Sequence, residues 1–410
     1  MSMSRKTYVF FAVAAVGALM GLVYSGYSTS DFVSHLDRQF DHPINCTLLP
    51  GLTEASAMDE AEGCKVAMFS QYSSFWREKH WGGVPYSLFA MGLFGFALAL
   101  SIWGIASRKG HMVAPGLILL LAGVVAAVAS IGFFTVSLTR LHNFCTTCIG
   151  TYISSAILLI GAALAFLGGR SDRRGSGAGD EAPVGTAAMA IQAAVLLIEM
   201  GIACLLPVAV FAATAPDHTK YVTSCESLKI QEKSAMLPMG GTGTGPQAIL
   251  VLDPLCPACK AFHRRLMESP LGQTLSYDMF LLPLDAECNW MLKDSMHPGA
   301  CLLSRGLFCA GNQTRAMLDF IFENQEQMRS DGLGKATSRI KDKLLSKFPE
   351  VKDCLDAPDT TKKLNDSLHK FAVANSLPVT TPQLYIGGKR LCDDDTDLGL
   401  EYAMTKLLGK

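Results

Sequence analysis

Charged residues are scarce in this chain. They make up 17% of its 410 residues, whereas 50% are hydrophobic, and 35 lysines and arginines are balanced by 36 aspartates and glutamates. A chain with so little net charge lacks the basic excess on which nucleic-acid binding depends, so that class of partner is excluded. The mean hydropathy of +0.28 is too high for an ordinary soluble protein. The composition therefore predicts a chain that is largely embedded in a membrane.

Five segments are long and apolar enough to cross a hydrocarbon core, which takes about 20 residues. A cleaved signal peptide is the alternative for the first segment, but its apolar run is long and further spans follow it, so we interpret it as a retained anchor. After Ala213 the sequence becomes polar and mixed, which predicts a soluble domain. The five predicted spans are roughly Tyr8–Tyr27, Tyr86–Ser107, Met112–Leu138, Phe144–Gly168 and Thr186–Ala213.

Lysine and arginine residues predict the orientation of these spans. Three positive clusters fall on one side of the membrane if the chain alternates, and the positive-inside rule makes that side the cytoplasm. The loop 28–85, the turn 140–143 and the domain after Ala213 then lie outside the cytoplasm. The clusters are Arg5 with Lys6, Arg108 with Lys109, and Arg170 with Arg173 and Arg174.

Thirteen cysteines are placed unevenly on this topology. Cys204 lies alone inside the fifth span, where we expect it only to pack. The other twelve lie outside the membrane or at its outer edge, in an oxidising compartment that favours disulfides. Three pairs stand out: Cys46 with Cys64, Cys145 with Cys148, and Cys256 with Cys259. We expect the remaining six to form structural bridges that clasp a helical insertion of the soluble domain. Their pairing stays open, except that Cys301 and Cys309 are too far apart on one continuous helix to bond to each other. The six are Cys225, Cys288, Cys301, Cys309, Cys354 and Cys392.

The soluble domain contains a recognisable dithiol motif. The segment QAILVLDPLCPACKAFHRRLMES (247–269) predicts a buried strand, a C-x-x-C pair and an amphipathic helix. Cys256 would begin the helix, where free backbone N–H groups favour a thiolate, and Cys259 would lie one turn further on. The first cysteine can attack a disulfide and the second can resolve the mixed disulfide. A zinc site would need a second such pair beside the first, so no metal is expected.

The strand, C-x-x-C pair and helix of 247–269 resemble the thioredoxin arrangement, and a second mark of it lies in PVTTPQLYIGGKRL (378–391). Pro382, preceded by Thr381, is predicted to form a cis peptide bond that faces the dithiol. A strand at 275–284, a mostly helical insertion at about 289–377 and a last helix at about 397–408 complete the domain, and MGGTGTGPQ (239–247) predicts a linker before it. The domain resembles the DsbA-type periplasmic oxidoreductases, which carry such an insertion in a thioredoxin fold.

The membrane part resembles the vitamin K epoxide reductase family, specifically its bacterial members fused to a thioredoxin-like domain. Cys145 and Cys148 open the fourth span as the quinone-facing pair of that family does. Tyr152 follows Cys148 by four residues, on the same helix face, where the family has a tyrosine that hydrogen-bonds the quinone. Cys64 is followed by Ser70, as the family's loop cysteine is followed by its structural serine. Cys46 then takes the place of the upstream loop cysteine, although the loop is longer here and no second quinone-contacting asparagine is found.

The resemblance implies a fold, a set of domains and a location. The fold is a membrane all-α bundle of five transmembrane helices, four of them forming the family's bundle, followed by an α/β thioredoxin-like domain with a helical insertion. The predicted domains are 1–175 for the bundle, 176–246 for the fifth helix and linker, and 247–410 for the thioredoxin-like domain. The location is a bacterial inner membrane, with the catalytic cysteines and the C-terminal domain on the extracytoplasmic side.

The resemblance also implies an activity. The chain would oxidise reduced extracytoplasmic client proteins and pass their electrons through Cys256/Cys259, Cys46/Cys64 and Cys145/Cys148 to ubiquinone or menaquinone. Two alternatives stay open: the same relay run as a reductase or isomerase, and a membrane-tethered client-binding module with vestigial dithiols. The Cys46/Cys64 pair has its own alternative, a static staple of the loop. The redox state of Cys256/Cys259 in cells distinguishes the oxidase from the first alternative, since a mostly oxidised pair supports the oxidase. Thiol oxidation with added quinone distinguishes the oxidase from the second alternative.

Overall fold

The computed structural model describes residues 4–37, 44, 46, 57–107, 113–175, 186–222, 224–230, 232–239 and 245–410, with side chains except at 57–62, 173–175 and 186. Arg108 and Lys109 of the predicted cytoplasmic side, and residues 240–244 of the predicted linker, lie outside this part. The chain divides into two compact units, Met1–Pro216 and Asp217–Lys410, and each is described by itself.

Within the residues that the structure describes, the regular elements of the first unit are helices and one short hairpin. Five of its helices are long and apolar enough to cross a membrane, which confirms the five predicted spans. The elements are α1 (Arg5–Leu36), α2 (Ala57–Met68), β1 (Ser74–Phe75), β2 (Val84–Pro85), α3 (Tyr86–Ala106), α4 (Val113–Val136), α5 (Thr146–Gly175) and α6 (Thr186–Thr214). A π-helical turn, Ser137–Leu141, extends α4 to the connection that precedes α5.

Small residues let the helices of this unit approach one another closely. A Cβ at Gly17 of α1 would lie 2.5 Å from the backbone nitrogen of Leu158 in α5, and a Cβ at Gly92 of α3 would lie 2.1 Å from the carbonyl oxygen of Ala203 in α6. Within lipid no hydrophobic effect drives helices together, so close packing of this kind stabilises their association. The bundle therefore packs α1 against α3 and α5, with α6 against α3 and α4.

The second unit is built around a mixed five-stranded sheet in the order β3-β5-β4-β6-β7. β4 and β5 are parallel, and the other neighbours are antiparallel. The strands are β3 (Leu237–Pro238), β4 (Gln247–Leu252), β5 (Ser276–Leu281), β6 (Gln383–Ile386) and β7 (Lys389–Arg390). The central strand β4 is buried along nearly its whole length, as its uninterrupted apolar run predicts.

Helices flank this sheet and fill the long connection between β5 and β6. The helices are α7 (Thr219–Val222), α8 (Pro257–Glu268), α9 (Ala300–Cys309), α10 (Thr314–Glu323), α11 (Gln325–Leu333), α12 (Thr337–Lys347), α13 (Lys352–Asp356), α14 (Pro358–Ser367) and α15 (Leu400–Leu407). The predicted insertion is thus helical from residue 300 onward, whereas 285–299 form an irregular loop. The predicted last helix begins at Leu400, three residues later than expected.

Three disulfides staple the second unit, and they answer the pairing question that the sequence left open. The bridges are Cys225–Cys392, Cys288–Cys301 and Cys309–Cys354. Cys301 and Cys309 lie on one helix and bond to different partners, as predicted. Two of the bridges clasp the insertion, but Cys225–Cys392 joins segments on either side of it, so the expectation that all would serve the insertion holds only in part.

Candidate functional site

A cavity of about 500 Å³ lies inside the membrane unit, between α1, α3, α4 and α5. Its exposed wall is mainly apolar, although thirteen serine, threonine and tyrosine residues and one carboxyl residue, Asp31, are among those that line it. It brings together five of the residues that the sequence singled out, namely Cys64, Ser70, Cys145, Cys148 and Tyr152. The volume is that of a site for one small organic molecule.

Two disulfides form one end of this cavity. Cys46 is bonded to Cys64 and Cys145 to Cys148, and the two bridges pack against each other in a small buried cluster. The Cys64 sulfur lies 3.9 Å from the hydroxyl of Thr147, which stands between the two cysteines of the second bridge. Adjacent disulfides can exchange when one is reduced, because a thiolate attacks a neighbouring sulfur. The arrangement fits a two-step relay.

Glycine makes this approach of α2 to α5 feasible. Gly63 precedes Cys64, and a Cβ built there would lie 2.3 Å from the carbonyl oxygen of Phe144, the residue before Cys145. No real side chain tolerates that distance. Gly63 is therefore a residue on which the contact between the two bridges depends, and sequence reasoning missed it.

Tyr152 lies one helical turn beyond Cys148 on the wall of the same cavity. Its hydroxyl hydrogen-bonds Ser137 in the π-helical turn, and its ring stands edge-on to Phe134 with 6.0 Å between the centroids. These contacts fix the ring while leaving a phenol at the cavity surface. A hydrogen-bond donor in an apolar cavity beside a disulfide suits the carbonyl group of a flat apolar ring system.

Ser70 has a structural position at the end of α2. It is buried, and its hydroxyl donates a hydrogen bond to the carbonyl of Ala67 at 2.7 Å, while its own carbonyl accepts the Ser73 N–H at 3.2 Å. Ser70 thus stabilises the turn that follows the end of α2.

α1 adds polar cavity residues that the sequence prediction did not include. Ser25, Ser28 and Asp31 all line the cavity, and the Asp31 side chain is buried. Their spacing of three residues places them on one face of a helix. This spacing is a sequence signal for a polar helix face. It was missed because the predicted first span ends at Tyr27, so Ser28 and Asp31 fall outside that span.

The second dithiol lies in the other unit, at the start of α8. Cys256 is the N-cap residue, Pro257 occupies the first helical position, and Cys259 is fully buried. Both cysteines are thiols in this structure. The Thr381–Pro382 peptide bond is cis, as predicted, and the Cys256 sulfur lies 3.7 Å from the Thr381 carbonyl oxygen. The structure therefore brings together all four residues that the sequence selected in this unit.

The two thiols differ in acidity because their surroundings differ. A hydrogen bond from the Cys259 thiol, together with the Cys259 backbone N–H, outweighs burial and lowers the pKa of Cys256 to about 6. Burial raises the pKa of Cys259 well above its ordinary value, and the neighbouring Cys256 raises it further. At neutral pH Cys256 is thus a thiolate that can attack, while Cys259 stays protonated until it resolves an intermediate.

Gln325 of α11 holds the backbone around Cys256, and no sequence pattern indicates this role. Its buried side-chain amide donates hydrogen bonds to the carbonyl of Pro254 at 3.1 Å and to that of Cys256 at 3.0 Å. The helical insertion thus positions the dithiol directly. Across the described parts of both units, no group of three or more His, Cys, Asp or Glu side chains is arranged to hold a metal ion.

Comparison with known proteins gives a family match within the membrane unit. Residues 12–163 match the model of the Vitamin K epoxide reductase family. The matched range contains both disulfides of the cavity and Tyr152, so this range is similar to a family whose members carry out disulfide and quinone redox chemistry in membranes. Neither a search of curated proteins nor a search of solved structures returned a significant match. The second unit lies outside the matched range.

Proposed function

We propose that this chain is a quinone-dependent protein-disulfide oxidoreductase of a bacterial cell membrane. The observation that carries the proposal is the single cavity whose wall contains Cys64, the Cys145–Cys148 bridge and Tyr152. One end of the cavity is a disulfide relay and the rest is an apolar chamber. This combination joins thiol chemistry to a lipid-soluble electron acceptor.

The second unit is proposed to be a thioredoxin-like domain that takes electrons from client proteins. Three features support this: a strand leading into a C-x-x-C at a helix start, a cis proline beside the first cysteine, and a helical insertion between β5 and β6. The unequal acidity of Cys256 and Cys259 fits an attacking and a resolving thiol. Reduced extracytoplasmic proteins are the proposed partners.

The proposed relay consists of balanced exchange steps. A client thiolate attacks the oxidised Cys256–Cys259 pair, and the client leaves with a disulfide while the pair leaves as two thiols. Those thiols then reduce the Cys46–Cys64 bridge, which in turn reduces Cys145–Cys148. Each step forms one disulfide, breaks another and moves two electrons and two protons.

The residues of the cavity fit a quinone as the terminal acceptor. The chamber is large enough for a quinone ring, its wall is apolar, and the Tyr152 hydroxyl offers a hydrogen-bond donor. A bound quinone would supply a two-electron, two-proton acceptor. Cys148 would face it, Tyr152 would hold a carbonyl oxygen, and the close-packed helices would exclude water.

The test is anaerobic oxidation of a dithiol peptide by the purified full-length chain with ubiquinone or menaquinone. We expect one disulfide per quinol, loss of quinol formation in Cys148→Ala, and normal rates in Cys204→Ala, because Cys204 lies in α6 and does not line the cavity. Peptide oxidation without quinol would refute the acceptor. Quinol-driven reduction of peptide disulfides without the forward reaction would favour the reductase direction. Inactivity with both quinones, in protein whose bridges are intact, would leave the client-binding alternative.

A further inference from the structure

A buried carboxylate lies next to the dithiol of the second unit. Asp253 follows β4 and precedes Cys256 by three residues, and it is fully buried. Its carboxylate accepts the Leu255 N–H at 2.6 Å and the Leu284 N–H at 2.5 Å. Its own backbone N–H points to the Cys259 sulfur at 3.5 Å. A carboxylate removed from water in this way is further stabilised by a counter-charge, because burial has taken away its hydration.

His297 supplies that counter-charge. Its Nδ1 lies 3.1 Å from Asp253 Oδ2, and its side chain is 10% exposed. Burial lowers the pKa of His297, but the close contact with Asp253 and the charges of Asp253 and Cys256 outweigh burial, so the net pKa is raised. The described charged groups around the imidazole are Asp253 after β4, Cys256 of α8 and Arg329 of α11, with Asp285 in its own loop. The acidic neighbours therefore favour imidazolium over imidazole.

The loop that carries His297 is held in place by several contacts. The His297 N–H donates to the Leu284 carbonyl at 2.9 Å, and the Asp285 carboxylate accepts the Gly299 N–H at 2.9 Å and the Ser295 hydroxyl at 2.7 Å. The Cys288–Cys301 bridge closes the same segment. These hydrogen bonds and the disulfide hold His297 in a fixed position beside Asp253.

We propose that His297 is a positioning residue for the dithiol, whose imidazolium neutralises the buried Asp253 carboxylate and so stabilises the Cys256 thiolate. The thiolate and the Asp253 carboxylate are like charges, and each disfavours the other. A protonated His297 makes the carboxylate part of a neutral pair, and only then is the thiolate relieved of its repulsion. This deepens the proposed function, since it concerns the thiol assigned there as the attacking group.

The first test measures the rate at which Cys256 is alkylated by iodoacetamide as a function of pH. The full-length chain is reduced beforehand and the Cys256 peptide is followed by mass spectrometry, so no quinone or client is needed. We expect His297→Gln to raise the apparent pKa of Cys256 by about one unit, which slows alkylation roughly tenfold below that pKa. His297→Lys, which keeps a positive charge, should stay near the wild type.

His263→Gln is the matched control. His263 is also buried and lies one turn after Cys259, but burial lowers its pKa to about 4, so it is neutral in the assay and its replacement should leave the Cys256 profile unchanged. If His297→Gln has the wild-type profile, or if His297→Lys shifts it as far as His297→Gln does, the proposal is overturned, because a loop distortion rather than a lost charge would then be at work.

A second measurement needs no substitution in the protein that is measured. Coupling between two titrating groups is reciprocal, so a thiolate stabilised by His297 must in turn raise the pKa of His297. Nuclear magnetic resonance of the full-length chain with labelled histidine, with His297→Gln used only for assignment, should show a higher His297 pKa in the reduced protein than in the protein with Cys256 and Cys259 bonded. Equal values would refute the proposal. Because neither test depends on turnover, a failure of the quinone assay would leave both results interpretable.

Discussion

Replacing Tyr152 with phenylalanine tests the cavity as a quinone site. The substitution keeps the aromatic ring and its edge-on contact with Phe134, and it removes only the hydroxyl. That hydroxyl can donate to a quinone oxygen, and such a hydrogen bond strengthens as negative charge develops on the acceptor during reduction. The loss should therefore appear in turnover more than in binding.

The magnitude follows from one lost hydrogen bond to a charged group. Such a bond contributes about 1.5–3 kcal/mol, which corresponds to a fall in quinol formation of roughly 10- to 150-fold. The Tyr152 hydroxyl also hydrogen-bonds Ser137, so the substitution removes a contact that holds the ring as well as the donor. Ser137→Ala measures the effect of losing that contact, because it removes the partner and keeps the phenol. We expect it to slow turnover much less than Tyr152→Phe does.

The assay is the initial rate of quinol formation under anaerobic conditions with saturating dithiol peptide. Exchange between the peptide and Cys256/Cys259 is followed separately by alkylation and mass spectrometry, and it should be unchanged, since this exchange takes place in the other unit. If Tyr152→Phe turns over quinone at the wild-type rate, Tyr152 is an interfacial aromatic residue and the quinone binds elsewhere.

Three further outcomes are expected. Cys259→Ala removes the resolving thiol and should trap Cys256 in a mixed disulfide with clients or with Cys46, because Cys64 lies against the Cys145–Cys148 bridge; a Cys256–Cys145 linkage in mass spectra would overturn that order. Gly63→Ala should slow transfer between the two bridges roughly tenfold or more because its Cβ would meet the Phe144 carbonyl at 2.3 Å, whereas Gly132→Ala, with no atom within 4 Å of its Cβ, should not. A reporter that works only in the cytoplasm should be active when it is fused within residues 170–180 and inactive when it is fused at Lys410. Cytoplasmic activity at Lys410 would contradict the predicted topology.

Local patterns predicted the features whose causes are local. A buried apolar run followed by Cys-Pro-Ala-Cys specified a strand, an N-cap cysteine and a proline in the first turn of α8, and all three are present. Thr381–Pro382 was likewise recognisable from its two residues and the strand after them. The apolar spans followed from length and composition alone.

The missed features depend on contacts between distant segments. The span prediction stopped α1 at Tyr27 because polar residues follow, yet the helix continues to Leu36, since Ser25, Asp31 and His35 are buried in the unit rather than left in lipid. Nothing in the sequence near His297 or Gln325 relates them to Asp253 or Cys256, because the insertion brings them there. The pairing of six cysteines is decided by the same tertiary packing.

The Cys225–Cys392 bridge has a consequence for the way this protein matures. Its two cysteines are 167 residues apart, with one before the sheet and the other close to the C-terminus, whereas Cys288 and Cys301 are only 13 apart. A ribosome makes the chain from its N-terminus, so Cys225 must wait as a free thiol while Cys256, Cys259 and four further cysteines of the unit emerge. The Cys225–Cys392 bridge can close only after residue 392 has been made. Correct maturation therefore requires that Cys225 does not bond to these six cysteines before Cys392 has been made. This requirement comes from the order of synthesis and not from the stability of the folded protein.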